Sequence, residues 1–436
     1  WVSEMAIISG SYRSSPEGVD PRTTIELWCR SKEGYSVLLL VQGIRPYIEV
    51  SVPGICRDPQ ILPDDIDARL ERLESESAIT RIFDPVIKWT DEGDKPHWRV
   101  EVTQPFRVNK LRGKIEDTWT LTSADIPFVN RLFLDYNLGL HINIDGEVLH
   151  VGKNGPEDLR EQLGEDYDAS EIRIITEGGS GLYPVDVVVN LDISQIEQSE
   201  PFPVPWVICS FDLETSISDE RILCAAAVIE KMSTSDSGHQ RECFTTTIGD
   251  EETDIMSWMT DLIREHDPDI ITGYNVDNFD VPRIKERTDH HCKTSDWKKR
   301  TEYSGWGRVP KKESETKGRE PRLFPSRSNS RTWRLTGRCV FDAWWQARMT
   351  LRPKRQTLKF VASLLFPDDE NLQKIDVDAS KMDEEWEKRP DEVMEYCLRD
   401  AELPLEILHS IQAVRRKEAM SVVAKVPFET AGNGTS

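Results

Sequence analysis

Short apolar runs separated by turn residues fill the first part of the chain. In TIELWCRSKEGYSVLLLVQGIRPYIEVSV (24–52) they predict two strands joined at Lys32-Glu33-Gly34 and a third after Gly43. DDIDARLERLESES (64–77) carries apolar residues at helical spacing behind a pair of Asp, which predicts an amphipathic helix. HWRVEVTQPFRVNKLRGKIED (97–117) predicts a strand, a break at Pro105 and a helix. Residues 141–200 are acidic and punctuated by Gly and Pro, and read as a connecting subdomain. SEPFPVPW (199–206) marks a boundary. Beyond it the pattern predicts strands at 206–213, 222–231 and around Cys243–Ile248, then a helix from Asp254 to His266. PDIITGYN (268–275) and CVFDAWW (339–345) read as further strands, and 383–411 as one or two long helices. Strands alternating with helices in this way predict an α/β layer fold.

Charge changes the picture at one place. The 436 residues carry a net −23, which excludes a protein that simply coats nucleic acid. From Arg283 to Arg338, however, 17 Lys and Arg stand against 7 Asp and Glu, a local +10 in an otherwise acidic chain. Trp297, Tyr303, Trp306 and Trp333 are interleaved there, so the segment 284–338 reads as loops and hairpins rather than as core, either contacting nucleic acid or forming a solvated, partly disordered insertion. The eight cysteines occur singly without CxxC spacing, which leaves no zinc motif and points to a reducing compartment. Apolar runs are too short to span a bilayer.

Four stretches hold acids in suggestive settings. In SFDLETS, Asp212 and Glu214 sit at i and i+2 of a strand, so both carboxylates face one side. GYNVDNFDVPRI offers Asn275, Phe279 and Asp280; EYCLRDAELP places Tyr396 and Asp400 on one helix face; Asp342 ends a strand and reads as structural. Taken singly, each is ordinary in a chain with 78 acids.

Together and in this order, FDLE, NVDNFD and YCLRD resemble the three exonuclease motifs of the family B DNA polymerases. IRPYIEV and VTQPFRVNKLRGKIEDTW resemble the N-terminal domain of the archaeal members. The resemblance implies an α+β N-terminal domain over 1–140, with 141–200 as its connecting subdomain. It implies a ribonuclease H-like α/β 3′–5′ exonuclease domain with a mixed central sheet over 201–410, and a return segment over 411–436. Its chemistry calls for two ions of Mg²⁺ or Mn²⁺ about 4 Å apart, held by hard oxygen ligands. Asp212 would bridge both ions, Glu214 and Asp400 would complete the water-activating site, and Asp280 would serve the second ion. Tyr396 would orient the attacking water, with Asn275 at the 3′-terminal nucleotide and Phe279 against it or in the core. Pro46, Tyr47 and Val108 match an archaeal pocket that captures template uracil; the alternative is that Tyr47 and Val108 are ordinary core residues.

The later polymerase motifs (DxxSLYPS, KxxxNSxYG, DTDS) are missing, so the chain reads as the N-terminal and proofreading part of a polymerase, a fragment or one polypeptide of a split enzyme. Its implied partners are DNA with a single-stranded 3′ end, polymerase domains in the same or a second chain, and a sliding clamp, in a cytoplasmic, nucleoid-associated setting without a membrane. Two rival readings are a free-standing 3′–5′ exonuclease and a non-catalytic nucleic-acid-binding subunit.

Overall fold

The structure is a computed structural model that describes residues 1–14, 23–54, 64–164, 183–233, 238–309, 323–327, 333–369 and 377–432. The N-terminal half supplies β1 (Val2–Ser14), β2 (Thr23–Ser31), β3 (Ser36–Gln42), β4 (Tyr47–Ser51), β5 (Ile79–Ile82), β6 (Val86–Thr90), β7 (Gly93–Val102), β8 (Thr120–Thr122), β9 (His141–Asp145), β10 (Glu147–Val151), β11 (Val187–Asp192) and β12 (Ile196–Gln198). Its helices are α1 (Ile66–Glu74), α2 (Pro105–Ile115), α3 (Phe128–Asp135) and α4 (Glu157–Leu163). One sheet runs β10-β11-β3-β2-β1-β9-β12, so residues 141–198 contribute four of its seven strands. A second sheet, β5-β7-β4-β8 with β6 on β7, carries its own core around Ile48, Val50, Trp98, Val100 and Trp119. Helix α2 begins at Pro105, where the missing N–H is one that a first helical turn leaves unpaired anyway.

From residue 207 the elements are β13 (Val207–Thr215), β14 (Ile222–Lys231), β15 (Gln240–Thr245), α5 (Glu252–His266), β16 (Ile270–Thr272), α6 (Asp280–His291), α7 (Trp297–Ser304), β17 (Arg334–Leu335), β18 (Arg338–Val340), α8 (Ala343–Leu351), α9 (Leu358–Leu365), α10 (Met382–Lys388), α11 (Pro390–Ser410) and α12 (Ala413–Ala424). Their sheet runs β15-β14-β13-β16-β18-β17, with β14 antiparallel to β13 and β16 and β18 parallel to it. Counted from β13, the first five positions read 3-2-1-4-5 with an antiparallel second strand, a ribonuclease H-like mixed sheet.

The period of two along β13 sorts its two faces. Cys209, Phe211 and Leu213 enter a core with Ile255, Met259 and Ile263 of α5. Ile208 faces the opposite core, with Tyr396, Cys397, Ala401 and Leu405 of α11. Asp212 and Glu214 share that parity and therefore rise beneath α11. The small residues Cys224 and Ala226 on β14, paired with Glu214 and Asp212, let the helix lie close.

The basic island departs from its sequence reading. Two helices, α6 and α7, occupy part of it, and Trp306 and Trp333 are buried in the α5-side core rather than displayed. Arg308 and Arg338 are buried as well. Arg308 meets Asp267 at 2.7 Å and Asp269 at 2.9 Å, and Arg338 meets Asp267 at 2.8 Å. Arg30 of β2 holds Asp269 through two hydrogen bonds of 2.8 Å, which fastens the N-terminal sheet to this one. Burying charge is tolerated only with such partners. Lys311 and Lys312 lie outside the described residues. A second departure concerns CVFDAWW: the strand stops at Val340 and both tryptophans belong to α8. Near the C-terminus, Phe428 and Glu429 donate backbone N–H bonds to Ile7 and Ile8 of β1 at 3.2 and 2.8 Å.

Candidate active site

One cleft of about 730 Å³ is lined by Asp212, Glu214, Asn275, Phe279, Asp280, Tyr396 and Asp400. Three segments bring them there. Strand β13 delivers the first two acids, the turn after β16 with the start of α6 delivers Asn275, Phe279 and Asp280, and α11 delivers Tyr396 and Asp400 one helical turn apart. Glu214, Asp280, Tyr396 and Asp400 are all buried, whereas Phe279 is 44% exposed at the cleft mouth, with Arg283 5.9 Å from its ring. The core position considered for Phe279 is therefore not the one it takes.

The electrostatics of the cleft are unfavourable for bare carboxylates. Burial is the largest reason that Asp280 is pushed up to about 8; the neighbouring charges of Asp342 and Asp400 add to it, and a hydrogen bond from the Leu213 N–H at 3.2 Å opposes it. Tyr396 is raised well above an ordinary phenol, first by burial and then by the charges of Asp400, Glu214 and Asp212, so its hydroxyl keeps its proton. Among the described residues lining the cleft the sole Lys or Arg is Arg283, which pairs with Glu220 at 2.9 Å and Glu286 at 3.5 Å. Asp212, Glu214, Asp280 and Asp400 bring hard carboxylate oxygens to one cleft, and such oxygens are ligands that suit Mg²⁺ or Mn²⁺. Asp212, Glu214 and Cys397 have ligand atoms within 4.8 Å of one another. Cys397 is the odd member: burial keeps it a protonated thiol, and its Sγ–H donates to the Asp212 carbonyl at 3.4 Å.

Three supporting residues were not singled out as functional from sequence. Asp342 caps α8 by accepting from Trp344 N at 2.9 Å, and it also accepts from Asn275 N at 2.8 Å and Asp277 N at 3.1 Å. It thereby clamps a turn in which Asn275 holds the left-handed φ of 70°. Gly273 opens that turn; a Cβ there would stand 2.5 Å from the Phe211 carbonyl oxygen. Cys397 is the third. The FD pair before an apolar helix was the available signal for Asp342; nothing local marks the other two.

Pro46, Tyr47 and Val108 line a different cavity, of about 290 Å³, with Asn109, Arg112 and Arg131. Tyr47 is partly buried there, its ring centroid 3.8 Å from the Arg99 guanidinium and 4.0 Å from that of Arg131, and its hydroxyl donates to Asp135 at 2.9 Å. Val108 packs against the core of the second sheet while also lining the cavity.

Sheet order and grouped carboxylates define the class: a ribonuclease H-like α/β domain with an acidic cleft. Residues 169–361 match the family described as DNA polymerase family B, exonuclease domain, a span that holds Asp212, Glu214, Asn275, Phe279 and Asp280 but ends before Tyr396 and Asp400. Over those residues the chain is similar to the exonuclease domain of the family B DNA polymerases. The DNA polymerase delta catalytic subunit of Drosophila melanogaster is 24% identical over 94% of this chain and 40% of its own length. The DNA polymerase of Archaeoglobus fulgidus is 25% identical over 63% of this chain and 29% of its own. A solved family B DNA polymerase from Pyrobaculum calidifontis shares the fold, with a TM-score of 0.65 and 18% identity over 99% of this chain and 48% of that one. The chain thus spans about 40% of the length of the first curated relatives it matches.

Proposed function

We propose that the cleft removes 3′-terminal nucleotides from DNA by hydrolysis, as the proofreading part of a family B polymerase. The observation that carries this reading is the convergence of four carboxylates and a buried tyrosine from three motifs on one cleft. Asp212, Glu214, Asp280 and Asp400 are the residues that would hold two Mg²⁺ or Mn²⁺ ions, which when bound would supply Lewis acidity and a water of lowered pKa. The Tyr396 hydroxyl, kept protonated by its surroundings, orients the attacking water one turn before Asp400. Asn275, fixed by Asp342, positions the terminal nucleotide, and the exposed Phe279 ring packs against it. The units are 1–140 with 141–200 as an N-terminal domain, 201–410 as the exonuclease domain and 411–436 as the return segment. Synthesis belongs to polymerase domains in the same or a second chain, working on cytoplasmic, nucleoid-associated DNA with a sliding clamp. The test is a double substitution, Asp212→Ala with Glu214→Ala: Mg²⁺-dependent digestion of single-stranded DNA should fall by orders of magnitude. Undiminished digestion by the purified variant would refute the assignment.

The cavity at Pro46, Tyr47 and Val108 supports a second reading, recognition of a flipped deoxyuridine. Its walls include a proline and an aromatic ring from one segment and a valine from another, and thymine's methyl group would be excluded by contact. Single-stranded DNA with one deoxyuridine should bind more tightly than its thymidine twin, and Val108→Gln should erase the difference. Equal affinities in the unsubstituted chain would end this reading.

A further inference from the structure

Outside the cleft itself a strip between α8 and α9 carries positive charge without acids of its own. From Ala343 to Pro367 the chain holds Arg348, Arg352, Lys354, Arg355 and Lys359 and not one Asp or Glu, within a protein of net −23. Arg352, Lys354, Arg355 and Lys359 are exposed. Arg352, Lys354 and Arg355 have no acid within 4 Å among the described residues, in contrast to Arg283, Arg287, Arg300 and Arg308 on the neighbouring elements, which are all paired.

The strip adjoins the cleft. Gln356, Thr357 and Leu358, which follow Arg355 directly, line the cleft together with Trp344 and the catalytic acids. Its position is fixed on three sides. The Tyr274 hydroxyl donates to the Gln356 carbonyl at 2.7 Å, Thr357 caps α9 by accepting from Phe360 N, and Leu358 and Ala347 pack with Leu403 and Ile407 of α11. Arg352 ends α8 with a φ of 46°, a left-handed conformation in which glycine is the favoured residue. The other wall has the opposite sign: Ala379 and Met382 line it, and Asp383, Glu384 and Glu385 follow in the first turn of α10.

We infer that Arg352, Lys354 and Arg355 form the entry rail for the strand being degraded, contacting the phosphates of single-stranded nucleic acid next to the terminal nucleotide. A polyanion approaching Asp212, Glu214, Asp280 and Asp400 is repelled by them and by the α10 wall. The α8–α9 strip is the rim that offers compensating charge, so the strand crosses there. The inference rests on the hydrolytic reading of the cleft and adds the path of the substrate to it.

The test compares Arg352→Ala/Lys354→Ala/Arg355→Ala with its parent, both in the Asp212→Ala/Glu214→Ala background so that the probe, a short single-stranded oligothymidylate, survives. Each phosphate contact contributes about 0.7 to the slope of log K against log salt for single strands, so losing three should flatten the slope by about 2. In the digesting chain the same triple substitution should raise KM at least fivefold while kcat changes less than twofold. Lys298→Ala/Lys299→Ala on α7 serves as the comparison for the basic island. An unchanged slope and KM in the triple variant, alongside normal digestion by the unsubstituted chain, would overturn the rail and leave the nuclease reading intact. A slope that moves only with Lys298 and Lys299 would place the strand on the island instead and overturn the rail too. Absence of binding by the parent together with absence of digestion by the unsubstituted chain would overturn the nuclease reading, and the rail with it.

Discussion

Replacing Asp342 by Ala tests the scaffold of the cleft without touching a proposed ligand. Three backbone N–H groups lose their acceptor: Trp344 N, Asn275 N and Asp277 N, at 2.9, 2.8 and 3.1 Å. Loss of a helix cap costs about 1 kcal/mol, and each further orphaned buried donor about 1–3 kcal/mol, which gives roughly 5 kcal/mol before relief is counted. The relief is the burial of the carboxylate itself, which lifts Asp342 from 3.8 to about 6. A carboxyl whose folded pKa lies above its unfolded value weakens the fold as pH rises between the two, here by about 3 kcal/mol once pH exceeds 6. At pH 8 the substitution removes all of that penalty, so the net loss is about 2 kcal/mol. At pH 5 only about half of the penalty is present to be removed, so the loss grows by about 1.5 kcal/mol. Urea unfolding at the two pH values, followed by circular dichroism, measures both numbers. A loss below about 1 kcal/mol at pH 5, or one that is larger at pH 8 than at pH 5, would refute the clamp.

Tyr396→Phe should slow cleavage at least tenfold, as expected for loss of a group that orients water, yet leave Mg²⁺ affinity by calorimetry nearly unchanged; loss of metal binding would reassign the tyrosine. Gly273→Ala should destabilise the fold by about 1–3 kcal/mol and depress cleavage, because its Cβ meets the Phe211 carbonyl oxygen at 2.5 Å and Val276 Cγ1 at 2.4 Å; a melting temperature equal to the parent's would contradict the crowding. With Asp280 raised to about 8, metal-free stability should decline as pH climbs from about 4 toward 8, and Asp280→Asn should flatten that part of the profile; identical profiles would remove Asp280 as the cause.

Local patterns were enough where the determinant is local. The period of two placed Asp212 and Glu214 on one side of β13, and the helical repeat placed Tyr396 and Asp400 on one face of α11. The boundaries of β14 and of the Pro105 break followed from apolar runs and from proline's missing N–H. What stayed illegible depends on contacts between distant segments. The strands of 141–198 read as a connector because nothing in their own pattern announces pairing with β1 and β3. The basic island read as exposed because the partners of Arg308 and Arg338, Asp267 and Asp269, lie tens of residues earlier in the chain. Asp342 and Gly273 take their roles from a turn closed by two strands at once, and Tyr47 is sandwiched by arginines from β7 and α3.

The central claim, a metal-dependent 3′–5′ exonuclease, is tested most directly by a time course on single-stranded DNA labelled at its 5′ end. With Mg²⁺ the account predicts a ladder of labelled strands that shorten stepwise from the 3′ end, and no shortening when the metal is chelated. Immediate release of the label as a mononucleotide, or a ladder that persists in chelator, would contradict it.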